Sequence, residues 1–190
     1  ADFEVIVIDD GSTDGTRHIL KEFGDRLRVV STENRGVSAA RNLGTKMALG
    51  ALIQYLDADD LLRPNALASR VQALKGFVYG VALSEWQEMR ETAPGQYHFS
   101  AHGRPNFDAL ADPEESIFAG FWAPPAAVMY TREIVARIGG WNEKLPVIQD
   151  ARFLLDAAFC GAQFIVIPEI SADYRIALQA SLSRQSRAKF

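Results

Sequence analysis

The chain has 190 residues, 48% of them hydrophobic, which suffices for one sizeable core and is short for two. With 20 Lys and Arg against 24 Asp and Glu the net charge is -4, so the chain lacks the electrostatic footprint of a nucleic-acid binder. A single cysteine, Cys160, rules out an internal disulfide framework and any multi-cysteine metal site. In chain order, Val5-Ile6-Val7-Ile8 is a continuous β-branched run that reads as a strand buried on both faces, as in parallel sheets covered by helices. Asp9 and Asp10 follow at its carboxyl end, where open α/β sheets bind ligands. Ser12, Thr13 and Asp14 suit the cap of a helix expected over 14–23, with Gly24 at its end. A strand over 27–30 and the turn Asn34-Arg35-Gly36 lead to a helix over 37–49, with Ala39, Ala40, Leu43 and Met47 on one face. A second strand, over 52–56, runs into Asp57-Ala58-Asp59-Asp60. Pro64 suits the first turn of a helix carrying Leu67, Val71 and Leu74, and only Gly76 separates that helix from a strand over 77–83.

Residues 85–118 lose this regularity and collect Pro94, Gly95, His98, His102, Gly103, Pro105 and Pro113, which predicts a long loop or variable insert. Order returns with a strand over 125–130, a helix over 132–138 closed by Gly139-Gly140, a helix over about 149–159 and a strand over 164–167. The alternation predicts an α/β fold with helices on both faces of a Rossmann-type sheet, in one domain over 1–180 with a polar tail over 181–190. No segment has the length of a membrane span, so the expectation is a soluble, cytoplasmic domain.

Two strands of such a sheet end in acids, Asp9/Asp10 and Asp57/Asp59. Clustered carboxylates repel one another, and a site of this kind recruits a cation. An Asp-x-Asp turn can aim both side chains at one centre, leaving a hard divalent ion with open positions for phosphate oxygens. Taken alone, an Asp-x-Asp is equally a solvated turn; the second acidic strand end is what weighs against that.

Three successive stretches resemble the signatures of the family-two glycosyltransferases of the GT-A fold: Asp9-Asp10-Gly11-Ser12-Thr13-Asp14-Gly15-Thr16, Asn34-Arg35-Gly36-Val37-Ser38-Ala39-Ala40-Arg41-Asn42-Leu43-Gly44, and Leu56-Asp57-Ala58-Asp59-Asp60. Ile138-Gly139-Gly140-Trp141-Asn142-Glu143, Gln149-Asp150 and Tyr174-Arg175 match later blocks in the same order. The resemblance implies an inverting, metal-dependent transfer of a hexose-like sugar from a nucleoside-diphosphate sugar, UDP-linked, to a glycan or lipid-linked acceptor, as in polysaccharide biosynthesis. Asp9 and Asp10 would face the base and ribose, and Asp57 and Asp59 would hold Mg²⁺ or Mn²⁺ across the diphosphate, with Asp57 also near the ribose. Arg41 would touch the nucleotide or form a salt bridge at the sheet edge. Asp150 would be the general base, although Gln149 stands where the family has Glu; an acid there also suits a helix start. Trp122 and Arg175 would lie on the acceptor side, whereas Trp86 and Trp141 read as core or loop anchors.

A lipid-linked acceptor would bring the domain to the inner face of a membrane as a peripheral protein, and self-association is compatible with this reading. Two departures stand out. The family's usual first strand, which lies between those ending in Asp10 and Asp57, has no counterpart here, predicting a gap that other residues or a neighbouring chain would fill. Ala177 replaces a frequent metal- or phosphate-contacting His. Two alternatives remain at this stage: a degenerate, non-catalytic nucleotide-sugar binder, and a phosphorylatable receiver domain, for which none of Lys75, Lys144 or Lys189 is suitably placed.

Overall fold

The computed structural model describes residues 3–103, 113–118 and 120–176. In chain order the elements are β1 (Ile6–Asp10), α1 (Thr16–Glu22), β2 (Arg28–Thr32), α2 (Val37–Met47), β3 (Leu52–Gln54), β4 (Leu61–Leu62) and α3 (Ala66–Ala73). They continue with β5 (Gly80–Ala93), β6 (Gln96–Gly103), α4 (Pro113–Phe118), β7 (Val128–Thr131), α5 (Arg132–Ile138), α6 (Gln149–Phe159) and β8 (Gln163–Ile176). One mixed sheet has the order β3-β7-β5-β8-β4, with β6 paired to β5. Within it β5 and β8 run parallel, while β7 is antiparallel to both β3 and β5. β1 and β2 form a separate parallel pair.

Helices cover both faces of the larger sheet, and the pleat of β5 shows why. Val81 and Leu83 point into a cluster with Ile134, Phe153 and Leu154 from α5 and α6, and Ala82 faces the other way onto Leu74 and Met129 beside α3. All three β5 residues are fully buried, as a strand covered on both sides requires. Tyr55, just after β3, is met edge-on by Tyr130, Trp141 and Phe153.

The α/β class holds, with four differences from the sequence expectations. The opening run is half-buried rather than enclosed: β1 has one partner strand, and residues Ile6 to Ile8 keep partial exposure. Among the described residues no strand joins β1 to β3, the gap the sequence led us to expect. The segment expected to be irregular is largely a hairpin, since β5 continues to Ala93 and turns at Pro94-Gly95 into β6. Its polar residues hid it, because Ser84 and Glu85 are buried within the strand and interrupt the apolar run. The connection after α3 spans residues 74–79, so Gly76 is not squeezed between two elements. β8 likewise runs far past residue 167, its pairing with β5 shifting register around Pro168, which lacks a ladder donor.

Arg70 of α3 is fully buried among neutral partners. Its guanidinium donates to Gln54 Oε1 at 2.6 Å, to Ser84 Oγ at 2.8 Å and to Ser171 Oγ, joining β3, β5 and β8. Gln54 in turn donates to the carbonyls of Tyr55 (2.7 Å) and Pro125 (2.8 Å). Burial pushes the Arg70 pKa down to about 10, so it keeps its charge at neutral pH. Arg70→Ala would remove the donor that Gln54, Ser84 and Ser171 share and open a cavity, and urea unfolding is expected to show a loss of about 2–5 kcal/mol. A loss under about 1 kcal/mol would mean that the network contributes little.

Candidate active site

The site is assembled along α2. At its start, Asp10 accepts hydrogen bonds from the backbone N–H groups of Arg35 (2.9 Å) and Gly36 (2.8 Å) and from Thr32 Oγ1 (3.3 Å). The end of β1 thereby grips the entry to the helix. Gly36 adopts φ 91°, a left-handed conformation that glycine tolerates best. Asp10 also lines a cavity of about 110 Å³ with Arg35, Asn42, Lys46 and Glu143. Its neighbour Asp9 is buried and engaged within its own loop, accepting from the Ser12 N–H (2.9 Å) and from Arg17 Nε (2.7 Å). The Ser12 hydroxyl, followed by Arg17, holds the Asp9 carboxyl well below the usual carboxylate range.

One turn into the helix, Arg41 reaches the acids of two other segments. Nη2 donates to Asp57 Oδ1 at 2.7 Å and Nη1 to Asp150 Oδ1 at 2.6 Å. The Arg41 side chain is only 9% exposed, and its guanidinium carbon lies 4.3 Å from the centroid of the Trp141 ring. Trp141 is itself stacked on Phe153 at 4.0 Å with 3° between the planes. Asn42, the next residue of α2, fixes this platform: its Oδ1 accepts the Trp141 N–H (2.7 Å), and its Nδ2 donates to the Trp141 carbonyl (3.0 Å) and to Glu143 (2.9 Å). Gly140 must be glycine here, since at φ 100° a Cβ would come 2.8 Å from Asn42 Oδ1. Thr45 completes the helix face by bonding the Tyr55 hydroxyl at 2.7 Å.

Asp150 is the second residue of α6, a helix that starts after Ile148 at φ 58°, a strained conformation for a β-branched residue. Burial raises the Asp150 pKa from its ordinary value, against the opposing pull of Arg41. Asp57 is half-buried, Asp59 is exposed with no ion pair among the described residues, and Asp60 is buried. The sequence motif contained Asp60, yet nothing there marked it as different. Its Oδ1 accepts the Arg175 N–H at 2.9 Å, whereas its Oδ2 is buried without a partner. Burial, joined by the charges of Asp57, Asp59 and Asp150, lifts its pKa to about 7. The same four acids act on the Tyr174 hydroxyl, which burial already raises.

Trp122 is 38% exposed and packs against Tyr174 at 5.5 Å and Trp86 at 5.7 Å, forming an aromatic wall beside the acids. Trp86 and Trp141 are buried, as expected of anchors. Arg175 turns toward the β5–β6 hairpin, with Nη2 3.3 Å from Glu91 and its guanidinium 5.3 Å from the Tyr97 ring. The structure thus joins Asp57, Arg41 and Asp150 directly, with Asp59 beside them, while Asp10 is linked to them through α2 and Asp9 faces its own loop. Ala177 lies outside the described residues. Among the described residues no group of three or more His, Cys, Asp or Glu is arranged to hold a metal ion, and no helix is long and apolar enough to cross a membrane.

The same architecture is found in known proteins. Over 95% of this chain and 52% of the other, the structure matches S. aureus TarS 1–349 in complex with UDP-GlcNAc, with a TM-score of 0.73 at 20% identity. It also matches the mannosyltransferase PcManGT from Pyrobaculum calidifontis in complex with GDP-Man and Mn²⁺, with a TM-score of 0.69 at 23% identity over 97% of this chain and 51% of that one. The fold is therefore that of the GT-A glycosyltransferases. Residues 1–123 match the model for glycosyl transferase family 2, and the chain belongs to that family. Similar curated proteins include glycosyltransferase GlyA of Streptococcus pneumoniae serotype 4, 28% identical over 122 residues, and a validoxylamine A glucosyltransferase of Streptomyces hygroscopicus subsp. jinggangensis, 43% identical over 79 residues. Those alignments take in 63% and 40% of this chain but only 17% and 19% of the relatives, so the chain spans less than a fifth of either. Family membership removes the ground for a receiver domain. The family match ends before Trp141 and Asp150, whose place in the site rests on the structure alone.

Asp60 provides a test of the acid cluster. Its folded pKa of about 7 lies above its ordinary 3.8, so the folded state binds the proton more tightly than the unfolded chain does. Its contribution to stability is therefore complete below about pH 4 and is lost as pH rises toward 7. In metal-free buffer, Asp60→Asn should gain stability relative to the parent between pH 5 and pH 8, since Asn keeps the acceptor for Arg175 and cannot ionise. Thermal unfolding across that range is the measurement, and a pH-independent difference would mean that Asp60 titrates normally.

Proposed function

We propose that this chain is the donor-binding and catalytic part of an inverting glycosyltransferase, taking a sugar from a UDP-linked nucleoside-diphosphate donor to the hydroxyl of a glycan or lipid-linked acceptor. The observation that carries this reading is the Arg41 bridge, which sets the acid of the Asp-x-Asp turn and the acid heading α6 on two arms of one guanidinium. A diphosphate beside Asp57 and Asp59 would then lie next to a base. Family membership and the nucleotide-sugar complexes of the matched structures support the donor class. The base and ribose would lie toward Asp10, Arg35 and the small cavity beside them, with Asp9 holding the loop.

The residues fit a divalent cation, Mg²⁺ or Mn²⁺. Asp59 is exposed and has no ion pair among the described residues, Asp57 has one oxygen engaged with Arg41, and the charges of Asp57 and Asp59 help to raise Asp60. Asp57 and Asp59 would hold the ion, leaving its other positions to phosphate oxygens and water. When bound, it would offset the charge growing on the leaving diphosphate.

Asp150 takes the proton from the acceptor hydroxyl as that oxygen attacks the anomeric carbon from the face opposite the diphosphate, and the single displacement inverts configuration. A carboxylate whose pKa is raised by burial is suited to this task, because its basicity lies closer to neutral pH. Trp122, half-exposed beside Tyr174, offers the acceptor sugar an apolar face, and Arg175 borders that side.

Two measurements test this reading. Asp57→Asn and Asp59→Asn are expected to abolish most of the Mn²⁺-dependent part of UDP binding in calorimetry while leaving thermal stability within a few degrees of the parent. Equal UDP affinity of the parent with and without Mn²⁺ would remove the metal role. Asp150→Asn should keep nucleotide binding but lower sugar transfer by roughly 10²–10⁴-fold, the contribution typical of a general base. Transfer at the parental rate would place the base elsewhere, and nucleotide binding with no transfer in the parent would favour a binding-only domain.

A further inference from the structure

Arg41 engages two acids that the proposed reaction needs for other purposes. One oxygen of Asp150, the proposed base, accepts from Nη1, and one oxygen of Asp57 accepts from Nη2. A base held by a guanidinium at 2.6 Å is a weakened base, and an acid paired with arginine is only partly available to a cation. The three groups together carry one net negative charge. Arginine has five N–H donors in a rigid fork that matches phosphate as well as carboxylate, so a diphosphate arriving beside Asp57 competes directly for Arg41. The guanidinium sits over the Trp141 ring, its carbon 4.3 Å from the centroid, and that ring is fixed by Phe153 and, at its backbone, by Asn42. The attraction of a cation to that ring does not depend on which anion the fork engages, so it favours neither partner over the other.

We propose that Arg41 is a charge-operated gate on the base: it holds Asp150 and Asp57 together until a donor arrives and then transfers to the diphosphate of that donor, freeing Asp150 for the acceptor. The gate rests on the donor reading given above. It makes binding ordered, because Asp150 gains full basicity only once a donor is seated. An acceptor or water that arrives before the donor meets a base still paired with Arg41.

The test reads binding rather than turnover. UDP and GDP are titrated calorimetrically into the parent, Asp150→Asn, Arg41→Met and the double variant, each with Mn²⁺ and with EDTA. If Arg41 must leave Asp150 to reach the diphosphate, Asp150→Asn removes the competitor and should tighten nucleotide binding about threefold or more in the Arg41 background. The same substitution should have no effect in the Arg41→Met background, where affinity is about tenfold or more below the parent because the charge-assisted phosphate contact is gone. A merely structural ion pair predicts the opposite sign, since breaking it would loosen the site and weaken binding. If Arg41→Met folds poorly, Arg41→Lys serves in its place: it keeps the charge but lacks the fork, and the gain from Asp150→Asn should then be smaller. Nucleotide binding by the parent with no tightening in Asp150→Asn overturns the gate and leaves the transferase reading intact. Failure of the parent to bind either nucleotide removes both.

Discussion

The site depends on one cation sharing two anions. Arg41 is almost buried, and a guanidinium in that position is tolerated only because Asp57 and Asp150 supply charge and the Trp141 ring supplies a polarisable face. Each partner comes from a distant part of the chain, so the ion pairs define where β3 ends relative to the start of α6. Much of the surrounding sequence serves this arrangement. Asn42 fixes the backbone of Trp141, Gly140 leaves room for Asn42, and Phe153 backs the ring from within α6. α2 is accordingly more than a crossover between strands: its first turn is bound by Asp10, its second carries Arg41 and Asn42, and its third bonds Tyr55 through Thr45.

Much of this was legible in the sequence, though unevenly. Helices closed by glycine and opened by polar residues were read closely; α5 and α6 have the bounds that periodicity and Gly139 or Gly161 indicate. The hairpin of β5 and β6 was not legible, because its polar residues sit within the strand: Ser84 is buried for its bond with Arg70, and Glu85 is buried beside it. A pattern argument treats such residues as a break in the element, whereas tertiary partners make them part of it. The acids were easy to find and hard to rank. Asp9 and Asp10 are adjacent in sequence, but one is directed into its own loop and the other toward the helix, a distinction set by the turn and not by residue type. Asp60 differs from Asp59 only in which side of the turn it faces, yet one is buried and the other exposed.

The second polar centre, around Arg70, lies beneath the site. It connects β3, which leads to Asp57, with the Pro125 turn that follows Trp122 and with Ser171 of β8, two residues before Asp173. Asp173 in turn takes two bonds from Arg63, just beyond β4. The Asp57 turn and the aromatic wall are therefore held by one buried network, and their relative positions are fixed by hydrogen bonds whose directionality a purely apolar core would lack. This is a costly way to build a core, since a charge without a carboxylate partner must be satisfied by neutral groups alone.

Ile148 bears on how Asp150 is held in place. A β-branched residue held at φ 58° immediately before α6 stores about 1–2 kcal/mol of backbone strain. Its side chain is 69% exposed, so packing around it does not repay that cost. The placement of Asp150 against Arg41 is thus held by the tertiary contacts of α6, the Arg41 ion pair among them, against the preference of the backbone that leads into the helix.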